Sequence, residues 1–227
     1  MRLATYNMRK AIGLDRRRDP KRIIDVINSL DADVVVLQEA DRRLGPRPSA
    51  LPRTLIEHET SFTPAPLAEN NVSLGFHGNA ILVRRDLKIG QIERVHLPGL
   101  EPRGAVMADI DDRLRVVGVH LGLMRRHRRE QLSDIIRRVT DSPLPVAILG
   151  DFNEWSLVQG LGQVAKQFTL CTPGRSYHAA RPVAALDRVA LSQGIDLVDA
   201  GVQQSKRARV ASDHLPVWVD VDFTPPA

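Results

Sequence analysis

The chain has 227 residues, 43% hydrophobic and 26% charged, a balance ordinary for a soluble globular protein and long enough to bury a substantial core. Its single cysteine, Cys171, excludes an internal disulfide framework and fits a reducing compartment. The net charge of +5, carried mainly by arginine, suits an anionic partner because a planar guanidinium matches phosphate oxygens, although arginine on a solvated surface gives the same balance. The opening "MRLATYNMRK" lacks the charged lead and long apolar core of a signal peptide. No apolar stretch approaches the roughly 20 residues of a spanning helix. The expectation is a cytoplasmic protein without stable membrane insertion, in which the Asn71-Val72-Ser73 sequon carries no meaning.

In chain order, residues 3–7 read as a strand ending at Asn7. Asp19-Pro20 opens a helix, with Asp as N-cap and Pro at the first helical position, and Ile23, Ile27 and Leu30 follow at helical spacing. "DVVVLQEA" is a continuous β-branched run, as in a strand buried on both faces. Residues 42–66 hold several prolines and read as a loop around one short helix, 52–58. From 79 to 121, "NAILVR", "KIGQIERVHL", "GAVMADI" and "LRVVGVHL" predict an antiparallel meander with Asp111-Asp112 at a hairpin tip. A helix at 126–140 puts Leu132, Ile135, Ile136 and Val139 on one face and arginines on the other. "PVAILGD" predicts a strand, 156–166 a helix, and "ALDRVALS", 196–203 and "HLPVWVDVDF" three more strands, with "TPPA" as a frayed end. No repeat or Pro/Gly/Ser-rich linker divides the chain, so 1–227 is expected to be a single domain of stacked β-sheets with helices outside.

Polar residues gather where these strands begin and end: Asn7, Gln38-Glu39, His120, Asp151 with Asn153, Asp187, and Asp213-His214. One such residue is ordinarily a turn, but residues at one sheet edge can converge in space. Carboxylate and carboxamide oxygens suit a hard cation such as Mg²⁺, and a histidine beside a carboxylate can stay protonated and stabilise an oxyanion. Together these are the inventory for attack of water on a phosphate ester. The chain has no CxxC, no HExxH and no G-x-S-x-G, which argues against structural zinc and a serine triad. A glycosidase carboxylate pair would leave the histidines and asparagines without a role. Gly160-Leu161-Gly162-Gln163-Val164-Ala165 fits a dinucleotide-binding fingerprint, but it follows "EWSLVQ", read as already helical, instead of a strand.

"ATYN", "VVVLQE", "HGNAILVRR", "VVGVHL", "AILGDFNEW", "LDRVALS" and "SDHLPV" occur in the order of the endonuclease/exonuclease/phosphatase superfamily, and the chain most resembles its small single-domain bacterial members. The resemblance implies a four-layered α/β sandwich, two mixed β-sheets packed face to face with helices outside and the site at one edge. It implies Glu39 as principal Mg²⁺ ligand (Mn²⁺ as a substitute), with Asn7 beside it and Asp213 across the cleft. It implies Asp151 orienting or deprotonating the attacking water, Asn153 and His120 contacting phosphate, and His214 stabilising the pentacovalent phosphorus, oriented by Asp187. Arg103 and Asn79 also match recurring positions as substrate-binding candidates, although either residue type more often pins a loop by hydrogen bonds. Arg9 stands where many DNA-repair members carry an acidic or carboxamide residue, which argues against abasic-site cleavage and a second metal ligand there; with Lys10 it is instead a substrate-binding candidate for phosphate, or simply solvated charge. The expected function is Mg²⁺-dependent phosphodiester hydrolysis, nuclease-like, by a monomer. The alternatives are a phospholipid or small-molecule phosphoesterase on the same site, and a non-catalytic phosphate-binding module. The basic balance favours nucleic acid, whereas the 4% aromatic content does not supply base-stacking platforms, and Trp155 or the 42–66 loop would have to serve a lipid.

Overall fold

The computed structural model describes residues 1–157 and 159–223. In chain order they form β1 (Arg2–Asn7), α1 (Pro20–Asn28), β2 (Val34–Gln38), α2 (Arg53–Glu59), β3 (Phe62–Pro64), β4 (Ala80–Arg84), β5 (Ile89–Leu97), β6 (Arg103–Ile110), β7 (Leu114–His120), α3 (Arg125–Val139), β8 (Val146–Asp151), β9 (Thr169–Cys171), β10 (Asp187–Leu191), β11 (Ile195–Val202), α4 (Ala208–Ala211) and β12 (Val217–Phe223). The strands build two six-stranded sheets, ordered β11-β12-β1-β2-β4-β3 and β5-β6-β7-β8-β10-β9. Among the described pairs, β1–β2 and β7–β8 run parallel and the others antiparallel, so both sheets are mixed. Each parallel pair is joined through a helix, α1 or α3, because parallel neighbours need a crossover too long for a hairpin.

Side-chain alternation sorts the apolar residues into three cores and so fixes the layers. Leu3, Val34, Val36, Val106, Val116, Leu149 and Val189 pack between the two sheets. Tyr6, Val35 and Leu37 point the other way, onto Ile23, Ile24 and Ile27 of α1 and Ile56 of α2. Val117, Val119 and Ile148 face Leu132, Ile135, Ile136 and Val139 of α3. This is a sandwich with helices outside, and it explains the unbroken "VVVL" run: a strand covered on both faces has no solvent side to make polar. The α1 start forms as its sequence predicts. The Asp19 side chain accepts from the Arg22 amide at 3.0 Å, a cap worth about 1 kcal/mol.

The expected meander is corrected at its first member. "AILVR" pairs with β2 and β3 in the first sheet, and the meander proper is β5-β6-β7. Its apolar run is buried along β4, whereas β5 is largely exposed at an edge; the composition of the two strands already differed in this way. The helix expected at 156–166 is absent among the described residues beyond a 3-10 turn at Val164–Lys166. The buried Arg188 guanidinium takes the carbonyls of Glu154 and Ser156 at 2.8 Å, and Gly160 adopts φ +94°, so helical bonding is pre-empted at both ends. The glycine-rich fingerprint therefore lies in a loop that ends in the 3-10 turn, with no strand leading into it and no α-helix opening from it among the described residues. Val158 and the "TPPA" tail lie outside the described residues. No described helix is long and apolar enough to cross a membrane.

Candidate active site

The strand ends converge through register. In the second sheet His120 pairs with Asp151 across β7–β8 and Asp151 with Asp187 across β8–β10, so three polar residues from distant sequence stand in one row. In the first sheet Asn7 pairs with Gln38 at the end of β1–β2, and Glu39 follows in a left-handed conformation, φ 53°. The sheets meet here: Asn7 Nδ2 donates to Asp151 Oδ2 at 3.1 Å across the sandwich. The site thus lies at the carboxyl ends of the two parallel pairs. Asp213 and His214 enter on the segment before β12, braced by Ser212, whose hydroxyl donates to the Asn7 carbonyl at 2.7 Å.

Asp151 is buried at the centre. Its Oδ1 accepts the Asn153 amide at 2.9 Å, and its Oδ2 lies 3.7 Å from His214 Nε2 and 3.5 Å from His120 Nε2. Burial raises its carboxyl pKa to about 6; His214 pulls it down and Asp187 pushes it up. On His214 burial alone would favour the neutral ring, but the Asp187 and Asp151 carboxylates outweigh it and raise the imidazole to about 10. The bond between His214 Nδ1 and Asp187 Oδ2 is 2.8 Å long, and that oxygen also accepts from the Ser176 hydroxyl at 2.5 Å. At neutral pH His214 is therefore an imidazolium aimed at Asp151. His120 behaves oppositely: burial, then Arg103 and His214, hold its pKa well below the usual histidine range, so it stays neutral. Asn153 sits at φ 49° and donates through Nδ2 to the Leu121 carbonyl at 2.8 Å, which ties the ends of β8 and β7 together. Gly150, at φ +152°, makes the bend before it, and a Cβ there would meet the Val119 carbonyl at 1.9 Å.

Asn7, Glu39, His120, Asp151, Asn153, Asp213 and His214 line one cavity of about 560 Å³, with Arg103 at its side. Asp187 stands behind His214, out of the lining. Arg103 is held by Glu101, its Nη2 2.6 Å from Oε2. Arg9 pairs with Asp213 at 3.3 Å and is not among the lining residues. Asn79 is buried away from the cavity, where Nδ2 donates to the Gly104 carbonyl at 2.8 Å and links the two sheets. Sequence reasoning missed the cationic wall of Arg42, Arg43 and Arg47, and the buried supports Ser176, Arg128, Glu154 and Arg188. Ser212 was legible in "SDH", two residues before the histidine; Ser176 and Glu154 carried no signal.

Two groupings offer ligands to a cation. Asp151, Asp187 and His214 bring ligand atoms within 4.8 Å of one another, but a protonated His214 already neutralises that pair of carboxylates. Asn7, Glu39 and Asp213 offer hard oxygens on the cavity lining, the donor type Mg²⁺ takes. Cations already attend this second set: Lys10 closes on Glu39 and Arg9 on Asp213, so a divalent ion there meets uncancelled carboxylate charge only by displacing Lys10. Asn7 Oδ1 accepts the Arg9 amide at 3.2 Å and keeps a second lone pair. The donor set fits the ion.

Two mixed sheets packed face to face with polar residues gathered at one edge are a recognisable class of fold. The Endonuclease/Exonuclease/phosphatase family matches residues 4–214, and the chain belongs to that family. It is 26% identical over 245 aligned residues to the uncharacterized protein YbhP of Escherichia coli (strain K12), covering 97% of this chain and 95% of YbhP. A crystal structure of an endonuclease/exonuclease/phosphatase from Beutenbergia cavernae superimposes with a TM-score of 0.75 at 22% identity, over 98% of this chain and 71% of that one. Zebrafish TDP2 (D. rerio), crystallised with a single-strand DNA product, gives 0.74 at 17% identity, over 98% of this chain and 99% of that one. At such identities the structural likenesses establish the fold.

Proposed function

We propose that this protein is a Mg²⁺-dependent phosphodiester hydrolase in which water attacks phosphorus in line, the chain working as one domain. The observation that carries this is the opposition of charge states across 3.7 Å: an Asp151 carboxylate raised to about 6 faces a His214 held protonated by Asp187. A carboxylate of that pKa is an effective general base near neutral pH, and a buried imidazolium stabilises charge growing on a phosphoryl oxygen. Asp151 orients the water and takes its proton as the water oxygen bonds phosphorus. The P–O ester bond opposite breaks, and the departing alkoxide takes up a proton from solvent. Asn7 and Asn153 hold the two oxygens of Asp151 in place. His214 sits ready to bind the developing charge, and Asp187 and Ser176 fix its ring. Neutral His120 can offer a hydrogen bond to the substrate without adding a second positive charge. Glu39, Asn7 and Asp213 would hold Mg²⁺, which when bound supplies Lewis-acid neutralisation of a non-bridging oxygen.

Glu39→Ala separates this reading from a phosphate-binding module. Calorimetric Mg²⁺ titration and hydrolysis of bis(p-nitrophenyl) phosphate are both followed, with thermal unfolding as the check on folding. Metal binding and turnover should both be lost while the unfolding temperature holds. Turnover retained with Mg²⁺ would remove Glu39 from the site, and phosphate binding without any turnover in the unaltered protein would favour the module.

A further inference from the structure

Several of the most solvent-exposed large apolar side chains lie on loops that contribute residues to the cavity lining. Leu44 is 84% exposed, Leu100 83%, Leu157 70%, Leu123 66% and Trp155 61%. They come from separate loops, after β2, between β5 and β6, after β7 and after β8, that all leave the sheets at the site's edge. The loops are tied to one another. Glu101 Oε1 accepts the Leu123 amide at 2.9 Å, and Arg125 Nη2 lies 3.1 Å from Glu154 Oε1, joining the Leu123-Met124 tip to the Trp155 loop. Trp155 in turn packs edge-on to Tyr177, at 5.8 Å, and Tyr177 lies 5.0 Å from the His214 ring. Leu44 stands on the opposite flank, next to Arg43, whose side chain lines the cavity.

We propose that these tips dock the protein on an anionic bilayer, with the cleft mouth held over the headgroup layer. The inference rests on the phosphodiesterase reading for the further step that the substrate is a phospholipid headgroup diester. Two of the tips stand beside arginine in sequence: Leu44 next to Arg43, and Leu123-Met124 before Arg125, which is held by Glu154, and Arg126, which is 3.8 Å from Glu130. Apolar ends entering the acyl boundary with guanidinium groups at phosphate level is the pattern of interfacial binding. A protein partner would favour one contiguous patch, whereas a fluid bilayer accepts separate tips around a polar opening. The arginines supply charge complementarity: Arg42 and Arg43 make no side-chain hydrogen bond or ion pair among the described residues, and Arg126 is well exposed. None of the described cavity-lining side chains is Phe, Tyr or Trp, so the exposed Trp155 is the aromatic surface on which a base would stack, and single-stranded DNA is an arm of the test.

The experiment measures sedimentation with vesicles of pure phosphatidylcholine and of phosphatidylcholine mixed with phosphatidylglycerol. Trp218→Phe leaves Trp155 as the sole indole reporter. The proposal expects partition into the anionic vesicles, a blue shift of Trp155 emission on adding them, and a loss of partition of at least about tenfold in Leu123→Asp/Met124→Asp. Val198→Asp, an exposed apolar position on β11, should partition like the parent. No partition, or partition indifferent to the tip substitutions, overturns the proposal; so does tighter binding to single-stranded DNA that the same tip substitutions weaken. Binding is read without turnover, so an absent hydrolase activity with intact vesicle docking would sink the phosphodiesterase reading and leave the docking in place.

Discussion

At the scale of single residues, the site is a set of charge states imposed by burial and by a few partners. His214 is the clearest: its folded pKa lies above its ordinary value because two carboxylates outweigh desolvation. The stability it contributes is therefore present below about pH 6.5, where the unfolded ring is also protonated, and is lost as pH rises through about 10. Activity should follow the same groups, with an alkaline limb near 10 from His214. The acid limb should lie at or below about 6 from Asp151, since a divalent cation in the cleft would draw that carboxyl down. In Asp187→Asn the imidazole loses its main counter-charge. A kcat/KM profile of that variant should show the alkaline limb moved down by units, together with a fall in rate at neutral pH; an unmoved limb would take Asp187 out of the positioning role. Much of this chemistry was visible in "GDFN" and "SDH", because residue type and place on a strand end are sequence properties. The charge states were not. They depend on which groups meet across the sandwich, such as Asn7 on Asp151, and on supports like Ser176 whose partners lie far along the chain.

At the scale of elements, strands carried their own signature where both faces are covered, as in "VVVL", and α1 announced its cap. Irregular segments did not. The 156–166 stretch reads as helical in sequence, yet a buried guanidinium on the carbonyls of Glu154 and Ser156 and a left-handed Gly160 oppose a helix there, and neither leaves a periodic trace. Sheet membership was equally silent for β4, since an apolar strand pairs by tertiary context. The β8 exit makes the strictest demand on one residue. Gly150→Ala would drive a Cβ to 1.9 Å from the Val119 carbonyl between paired strands, so a destabilisation above about 3 kcal/mol is expected in denaturant unfolding. A loss under about 1 kcal/mol would mean that the β7–β8 pair yields easily. Glu154 anchors the next loop, its carboxylate held by Arg125 and Arg128, whose hydrogen bonds outweigh burial and lower it to about 2.

Across the whole molecule, two parallel strand pairs, one in each sheet, deliver their carboxyl ends to one edge, where antiparallel β10 supplies Asp187 and the segment before β12 supplies His214. The cores hold these ends in fixed relation, so the cleft is assembled by folding and not by any local motif. Its lining carries the cations Arg42, Arg43 and Arg47 together with the carboxylates of Glu39, Asp151 and Asp213, a charge pattern that, on the proposed function, draws a phosphate toward Asp151. On the proposed function Asp151 activates water for metal-dependent hydrolysis of a phosphodiester. The decisive measurement is turnover of bis(p-nitrophenyl) phosphate, titrated with Mg²⁺ in the parent protein and in Asp151→Asn. Mg²⁺-dependent turnover is expected to fall by at least about 10³-fold in the variant while its calorimetric Mg²⁺ affinity persists. Turnover in Asp151→Asn within about twofold of the parent, or no turnover in the parent with either Mg²⁺ or Mn²⁺, would contradict it.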